Sequence, residues 1–329
     1  MKSSNIAESV YNVNLKYVEL QNKTKELFFK CLEENRDTDY FNQELAKLWG
    51  EVDHSFLKDE INSYIEAIHD QNMTLFGAKS EPEDKEFKEY LKLVPIAVIL
   101  GAEAKFVKKK EIEYNNSTRS YFYKTNKEEY LKMKVQKYTD QVVPYYSQTT
   151  GKKVRDVELS TYASMIHNTN LTRTTWNTTL NDAVEIGQTK FYIPYHSFSC
   201  PYCIAHQNKV MTAKQVMKLI GHIEEQEGDI LHPNCKCILT FYNGRSKFNK
   251  PKYSKAELEE QYNIRQKTNS LTLKKEKIKT DMKIQKSLGN QDEVDELNKE
   301  RNLINKEIRK LKEALPTTEL KKQVVAINR

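Results

Sequence analysis

The chain has 329 residues, of which 38% are hydrophobic, so it is long enough for two domains and can form at least one apolar core. Its mean hydropathy of −0.77, 30% of charged residues and only 9 Gly and 8 Pro favour long solvated helices and exclude a disordered chain. No apolar leader follows the N-terminus, and the longest apolar run, 94–102, is about half a membrane span. We therefore expect a protein without a membrane anchor, made in a reducing cytoplasm.

The positive charge is concentrated towards the C-terminus. The net charge of the chain is +7, and residues 245–329 contain 22 Lys and Arg against 13 Asp and Glu. The rest of the chain is therefore slightly acidic. This distribution predicts that a contact with an anionic partner involves the C-terminal segment.

The first half of the chain is predicted to be helical. In residues 1–80 apolar side chains recur at steps of three and four, which is typical of an amphipathic helical bundle, and Asp37 offers a helix start. Residues 81–158 form a mainly helical middle region after a charged connector. Its helix over 90–106 runs into Lys108-Lys109-Lys110, which we interpret as a solvated helix end, with phosphate contact as the alternative.

Residues 159–244 predict a compact α+β unit. A helix should end at Gly187, a natural terminator, and β-branched and aromatic residues predict strands over 190–195 and 236–242. A helix over 212–222 lies between these strands. The cysteines and histidines of this unit fall at the end of the first strand and the start of the second.

Residues 245–329 predict a basic helical hairpin or coiled coil. Ser254 and Glu257 have the spacing of a capping box that begins a long helix, and Gly289-Asn290 interrupts it. Such a helix suits an arm that contacts a neighbouring chain, including a second copy. The fold class is thus mostly α with a small α+β domain. The predicted seam of the second helix consists of Val294, Leu297, Ile304, Ile308, Leu311 and Leu315.

Four of the five cysteines fall within 38 residues, which predicts a metal site. Cys200 and Cys203 have the C-x2-C spacing that lets two sulfurs reach one tetrahedral ion, and Cys235 and Cys237 would face the same side of a strand. Thiolates and imidazoles are ligands that Zn²⁺ prefers. We therefore expect a four-cysteine zinc site, with His206 or His232 as the substitute for one cysteine.

Two other interpretations of the cluster remain open at this point. Reduced cysteines also pack as small apolar side chains at a strand junction, as we expect of the isolated Cys31. A cysteine nucleophile assisted by histidine would need an oxyanion loop or a triad-like pattern, and the sequence has neither. We therefore expect no enzymatic activity.

Three motifs follow one another in this unit: Cys200-Pro-Tyr-Cys203, Gln207-Asn-Lys-Val210 and His232-Pro-Asn-Cys235-Lys-Cys237. Their order resembles that of the Mu F-like, or minor head protein, family of tailed phages. The resemblance covers about residues 161–242. In that family the usual residue at Lys236 is Arg and the usual residue at Asn208 is Gly; Asn tolerates the left-handed backbone that Gly would provide.

The resemblance implies a structural minor capsid protein. Such a protein is part of the virion, lies in the capsid interior or near the portal, takes part in head assembly in the bacterial host cytoplasm, and in some cases is ejected with DNA. Its implied partners are the portal and other capsid proteins.

The basic tail suggests an alternative function, that of a zinc-containing nucleic-acid-binding protein. Residues 245–286 contain 13 Lys and Arg against 5 Asp and Glu, a balance that could neutralise phosphates of packaged double-stranded DNA. A solvated coiled-coil face is the simpler interpretation of the same charges. The candidate contacts are Lys274, Lys275, Lys277, Lys279 and Lys283.

Overall fold

A computed structural model shows a mostly helical chain with two small antiparallel sheets, which confirms the predicted fold class. The structure describes residues 3–76, 85–146, 153–220, 235–244, 248, 253–317 and 320–321. The helices are α1 Ser3–Glu33, α2 Thr38–Gly50, α3 Ser55–Phe76, α4 Lys85–Arg119, α5 Tyr121–Thr125, α6 Lys127–Lys137, α7 Leu159–Glu185, α8 Pro201–Ile204, α9 Ala213–Ile220, α10 Lys255–Ser287 and α11 Gln291–Glu313. The strands are β1 Gln141–Tyr146, β2 Lys153–Glu158, β3 Lys190–Tyr192, β4 Met211–Thr212 and β5 Thr240–Phe241.

The N-terminal helices form the predicted bundle. Asp37 caps α2, because its side chain accepts a hydrogen bond from the backbone N–H of Tyr40. Aromatic rings fill the core between α1, α2 and α4: Phe41 stacks on Tyr114 at a centroid distance of 4.0 Å, and Phe28 meets both rings edge-on. Cys31 is buried in the same core, as predicted. None of the helices in the described ranges is long and apolar enough to cross a membrane.

Lys110 contradicts the interpretation of the basic triplet as a solvated helix end. Helix α4 continues through the triplet, and the side chain of Lys110 is 0% exposed. Its Nζ donates to the carbonyl oxygen of Thr139 at 2.6 Å, lies 3.2 Å from Glu113 and 3.7 Å from Asp140, and sits 3.6 Å above the ring of Tyr138. The charge can be buried because these partners converge on it from α4 itself and from the segment between α6 and β1.

Replacing Lys110 with Met is expected to lower the free energy of unfolding by about 3 kcal/mol, because the carboxylates of Glu113 and Asp140 lose their buried cation. Denaturant unfolding measures this change. The exposed neighbour Lys109 provides the control, since Lys109→Met removes the same charge without unpairing a buried group. Equal stabilities for the two variants would contradict a structural role of Lys110.

The hairpin of β1 and β2 was not predicted, since residues 81–158 were expected to be mainly helical. The strands pair antiparallel from Gln141 opposite Glu158 to Tyr146 opposite Lys153. Strand β2 has the sequence Lys-Val-Arg-Asp-Val-Glu, in which the two valines stand three positions apart. It therefore lacks the alternation of apolar and polar residues that would have signalled a strand.

The α+β unit is built around a three-stranded sheet of order β4-β3-β5, with both pairs antiparallel. Phe191 of β3 lies opposite Met211 on one side and Phe241 on the other. Helix α7 packs against this sheet, and Gly187 ends it with the expected left-handed backbone (φ +68°). The turn at Asn208 also adopts a left-handed backbone (φ +55°), as the Asn-for-Gly exchange requires.

The predicted strands are shorter than expected. Regular pairing covers 190–192 instead of 190–195, and 240–241 instead of 236–242. Cys235 and Cys237 therefore precede β5 and do not lie in it. The reason is that backbone carbonyls in 235–239 accept hydrogen bonds from side chains of α7 and not from a neighbouring strand.

The C-terminal helices form the predicted hairpin, and the hairpin packs on the rest of the chain. Ser254 and Glu257 make the capping box of α10, and Gly289 (φ +70°) separates α10 from α11. Part of the predicted seam is filled within the hairpin, where Ile278 of α10 packs against Ile304 and Ile308 of α11, whereas Leu311 and Leu315 pack in a separate cluster with Phe198. Along α1, Asp281 pairs with Lys25 at 2.5 Å. Self-association through these helices stays a prediction, as does the proposed division of the chain into four regions.

A candidate metal centre at the cysteine cluster

Helix α7 holds the segment of Cys235 and Cys237 in an extended conformation. A row of side chains along one face of this helix donates hydrogen bonds to alternate carbonyl oxygens of the segment, so that the carbonyls of Cys235, Cys237 and Leu239 are satisfied without a strand partner. Trp176 is fully buried and donates from Nε1 to the carbonyl of Cys237 at 2.8 Å. The other donors are Asn168 and Thr172 to Cys235 at 3.0 and 2.8 Å, and Thr179 to Leu239 at 3.4 Å.

The first cysteine pair is shaped by the one-turn helix α8. Pro201 occupies the first turn, where its fixed φ suits a helix start, and the Cys200 sulfur caps the turn by accepting from the backbone N–H of Cys203 at 3.4 Å. This turn brings the two sulfurs of the C-x2-C pair to the same side. Their Sγ atoms lie 3.0 Å apart, longer than a disulfide bond of about 2.05 Å, and both are free thiols.

The structure brings both cysteine pairs together, as the sequence predicts. The sulfurs of Cys203 and Cys235 are 3.7 Å apart, and those of Cys203, Cys235 and Cys237 all lie within 4.8 Å of one another. Four sulfurs at about 2.3 Å from a tetrahedral zinc ion are about 3.8 Å apart. All four cysteines are buried, Cys200 at 6% exposure and the other three at 1% or less. This buried group of three sulfurs, with Cys200 adjoining it, could hold a metal ion.

His196 also contacts the cluster, and the sequence did not single it out. Its Nε2 lies 3.6 Å from the sulfur of Cys237, while Nδ1 lies 3.0 Å from the carbonyl oxygen of Ser197. Burial lowers the pKa of His196, so the ring is held in its neutral form. An Nδ1–H donor to Ser197 leaves the lone pair of Nε2 directed at the cluster, as in histidines that bind metals. No sequence signal distinguishes this histidine from its neighbours.

The two histidines that were predicted as substitutes have different outcomes. The backbone N–H of His206 donates to the carbonyl of Cys203 at 3.0 Å, but its ring is not part of the group of potential ligands. His232 lies outside the described residues, so its role as a substitute ligand stays a prediction.

The electrostatics of the cluster require a cation before the sulfurs can ionise. Hydrogen bonds with the thiols of Cys200, Cys235 and Cys237, together with burial, raise the pKa of Cys203 far above its usual range. Without a cation beside it the sulfur of Cys203 therefore stays protonated. A metal ion would supply the missing positive charge and displace the protons on binding.

The surroundings of the cluster are cationic and closed. Arg265 of α10 is 7% exposed, Lys236 is partly buried, and desolvation lowers the pKa of both, that of Arg265 to about 10. Between these side chains and Cys200 and Cys203 lies a cavity of about 10 Å³, which is room for about one water molecule. Among the described residues this cavity is too small for a substrate, as is typical of structural metal sites.

Most of the five candidate DNA-contacting lysines are engaged within the chain. Lys277 pairs with Glu158 of β2, and Lys283 pairs with Glu26 of α1, so that α10 is held to both elements. The other pairs are Lys274 with Glu300 at 2.7 Å and Lys279 with Glu276 at 2.8 Å. Lys275 has no ion-pair partner in the described part of the chain. Contact with nucleic acid stays a prediction.

A second group of polar residues in the bundle superficially resembles a catalytic triad. Ser9, Glu60 and His167 are mutually hydrogen-bonded, with Ser9 Oγ 2.9 Å and Glu60 Oε2 3.0 Å from the same atom, His167 Nε2. In a working triad the acid and the nucleophile contact opposite ring nitrogens. The group therefore joins α1, α3 and α7 as a structural contact and does not activate Ser9.

Comparison with protein-family models gives no match, and comparisons with curated proteins and with solved structures give none either.

Proposed function

We propose that the chain is a structural minor head protein of a tailed phage or prophage, in which a zinc ion fastens the α+β unit. The observation that carries this proposal is the convergence of the two halves of the minor-head-protein motif, with Cys203 and Cys235 only 3.7 Å apart. Residues 32 positions apart meet because α7 and the strands β3 and β5 hold them there. In this role the protein associates with the portal and other capsid proteins and acts without catalysis.

Zinc suits this cluster better than other common metals. Its donors are thiols, with a neutral imidazole adjoining, and the described residues contribute no carboxylate to the group. Soft donors in a tetrahedral arrangement select zinc over magnesium or calcium. Cys203, Cys235 and Cys237 would supply three ligands, and Cys200 the fourth, with His196 as the competing donor. The zinc ion would join α8, the segment before β5 and thereby α7.

The head-protein function is tested by mass spectrometry of purified heads and procapsids from the phage or induced prophage that encodes the chain. We expect the chain at a few copies per portal and expect these copies to resist washing. A portal gene immediately upstream would agree with this result. Complete absence from heads and procapsids would contradict the proposal.

The alternative, a zinc-containing nucleic-acid-binding protein, predicts retention on double-stranded DNA at low salt that declines as salt is raised. Because four of the five candidate lysines are paired within the chain, we expect weak retention of the full chain, unchanged by the double substitution Lys275→Ala and Lys279→Ala. Strong, salt-sensitive retention that the double substitution weakens would favour the alternative.

A further inference from the structure

Arg265 is a buried cation without a carboxylate partner in the described part of the chain. It projects from α10, and its buried Nε–H donates no hydrogen bond to any of the described residues. The nearest ring is that of Phe198, whose centroid lies 5.2 Å from the guanidinium carbon. Burying an unpaired charge is strongly unfavourable, so buried cations are normally compensated by an anion.

A second cation reinforces this imbalance. Lys236 lies between the ligand candidates Cys235 and Cys237, lines the same small cavity as Arg265, and has no ion pair within the described ranges. The two positive groups repel each other. Cys200 and Cys203 line the same cavity. Among the described residues around this cavity, the cysteine sulfurs are the groups that can supply more than one negative charge.

A zinc tetrathiolate has the charge that this environment lacks. One Zn²⁺ with four thiolates carries two negative charges, whereas three thiolates and a neutral imidazole leave only one. Two cations therefore match the two negative charges of a zinc ion held by four cysteines. They exceed the single negative charge of a zinc ion held by three cysteines and His196. We propose that Arg265, assisted by Lys236, is the counterion of a zinc tetrathiolate formed by Cys200, Cys203, Cys235 and Cys237, and that it thereby fastens α10 to the metal site.

The inference rests on the proposed zinc site and extends it to the C-terminal hairpin. Tyr262, one turn before Arg265, packs against the hydrophobic cluster that contains the four cysteines, and Ile264 packs against Phe198. The start of α10 thus covers the site. Binding of zinc and docking of this end of α10 should stabilise each other, because the dianion and the guanidinium compensate each other's desolvation.

The test measures zinc affinity of the full chain by competition with a chromophoric chelator. We expect Arg265→Met to weaken zinc binding by about 10- to 100-fold, as removal of an outer-shell partner does, and Arg265→Lys to retain most of the affinity because it keeps the charge. The control is Arg309→Met on the exposed face of α11, which should bind zinc like the unaltered chain. Cobalt in place of zinc should give the absorption of four thiolate ligands.

A second measurement, made on the unaltered chain, tests the proposal even if the Arg265→Met variant does not fold. Hydrogen exchange should show that removal of zinc with a chelator exposes the backbone of residues 255–268 in the unaltered chain while α1 stays protected. The counterion role would be overturned, and the zinc site left intact, by either of two results. One is unchanged zinc affinity in Arg265→Met, and the other is hydrogen-exchange protection of residues 255–268 that is the same with and without zinc. An unaltered chain that binds no zinc would instead overturn the site itself.

Discussion

Replacing Cys203 with Ala is expected to abolish zinc binding and to lower the free energy of unfolding by at least about 5 kcal/mol, since a structural metal contributes directly to folding. Cys203 is central to the cluster: its sulfur lies 3.0 Å from that of Cys200 and 3.7 Å from that of Cys235. Its loss therefore separates the two halves of the site. Elemental analysis and thermal unfolding of the purified full chain measure both effects.

Cys31 provides a matched control for this substitution. Both Cys31 and Cys203 are 1% exposed, so replacement by Ala removes a similarly buried sulfur in each case. Cys31 packs in the helical bundle, where the loss of one small apolar group should cost about 1 kcal/mol and leave the zinc content unchanged. Equal destabilisation of the two variants, with equal zinc content, would show that the cluster is packing alone.

Trp176→Ala is expected to lower the free energy of unfolding by about 4 kcal/mol through the cavity that it leaves, and also to weaken zinc binding. The indole is 0% exposed and holds the carbonyl of Cys237 at 2.8 Å. Without it, the segment that carries Cys235 and Cys237 loses its fixed position along α7. Denaturant unfolding and zinc competition separate the two effects.

The second tryptophan allows a direct comparison. Trp49 is 7% exposed and donates to Thr24 Oγ1 at 3.1 Å in the N-terminal core, distant in sequence from every ligand candidate. We expect Trp49→Ala to destabilise the chain by a similar amount with no change in zinc affinity. Trp176→Phe, which keeps most of the volume, should cost about 1–2 kcal/mol for the unsatisfied carbonyl. If both Ala variants bound zinc equally well, α7 would not position the cluster.

The sequence predicted long helices and their ends better than the strands. The cap at Asp37, the capping box at Ser254 and the terminator Gly187 are local signals, because the residues that satisfy each helix end lie within a few positions of it. The extent of the strand at 236–242 depended instead on Trp176 and other side chains of α7, about 60 residues away. A pattern of β-branched and aromatic residues cannot show which partner the backbone will find.

The candidate site shows the same limit. Cysteine spacing predicted the pairs that meet, and Cys203, Cys235 and Cys237 form a group that could hold a metal ion, because C-x2-C and C-x-C pairs carry local geometry. Cys200 as the fourth ligand stays a prediction. The sequence did not predict Arg265 as part of the site, because this residue lies on another helix and 28 positions after Cys237. It did not predict the burial of Lys110 either, because that depends on partners outside its own helix. Charged residues in particular are misjudged from sequence, because only the fold decides whether they are solvated or paired.

The most direct test of the central claim is the zinc content and thiol reactivity of the full chain, purified under reducing conditions without added metal. We predict about one zinc ion per chain and four cysteines that react with a thiol reagent only after a strong chelator has removed the metal. A folded chain that contains no zinc, binds none when zinc is supplied, and keeps its stability in chelator would contradict a zinc-fastened α+β unit.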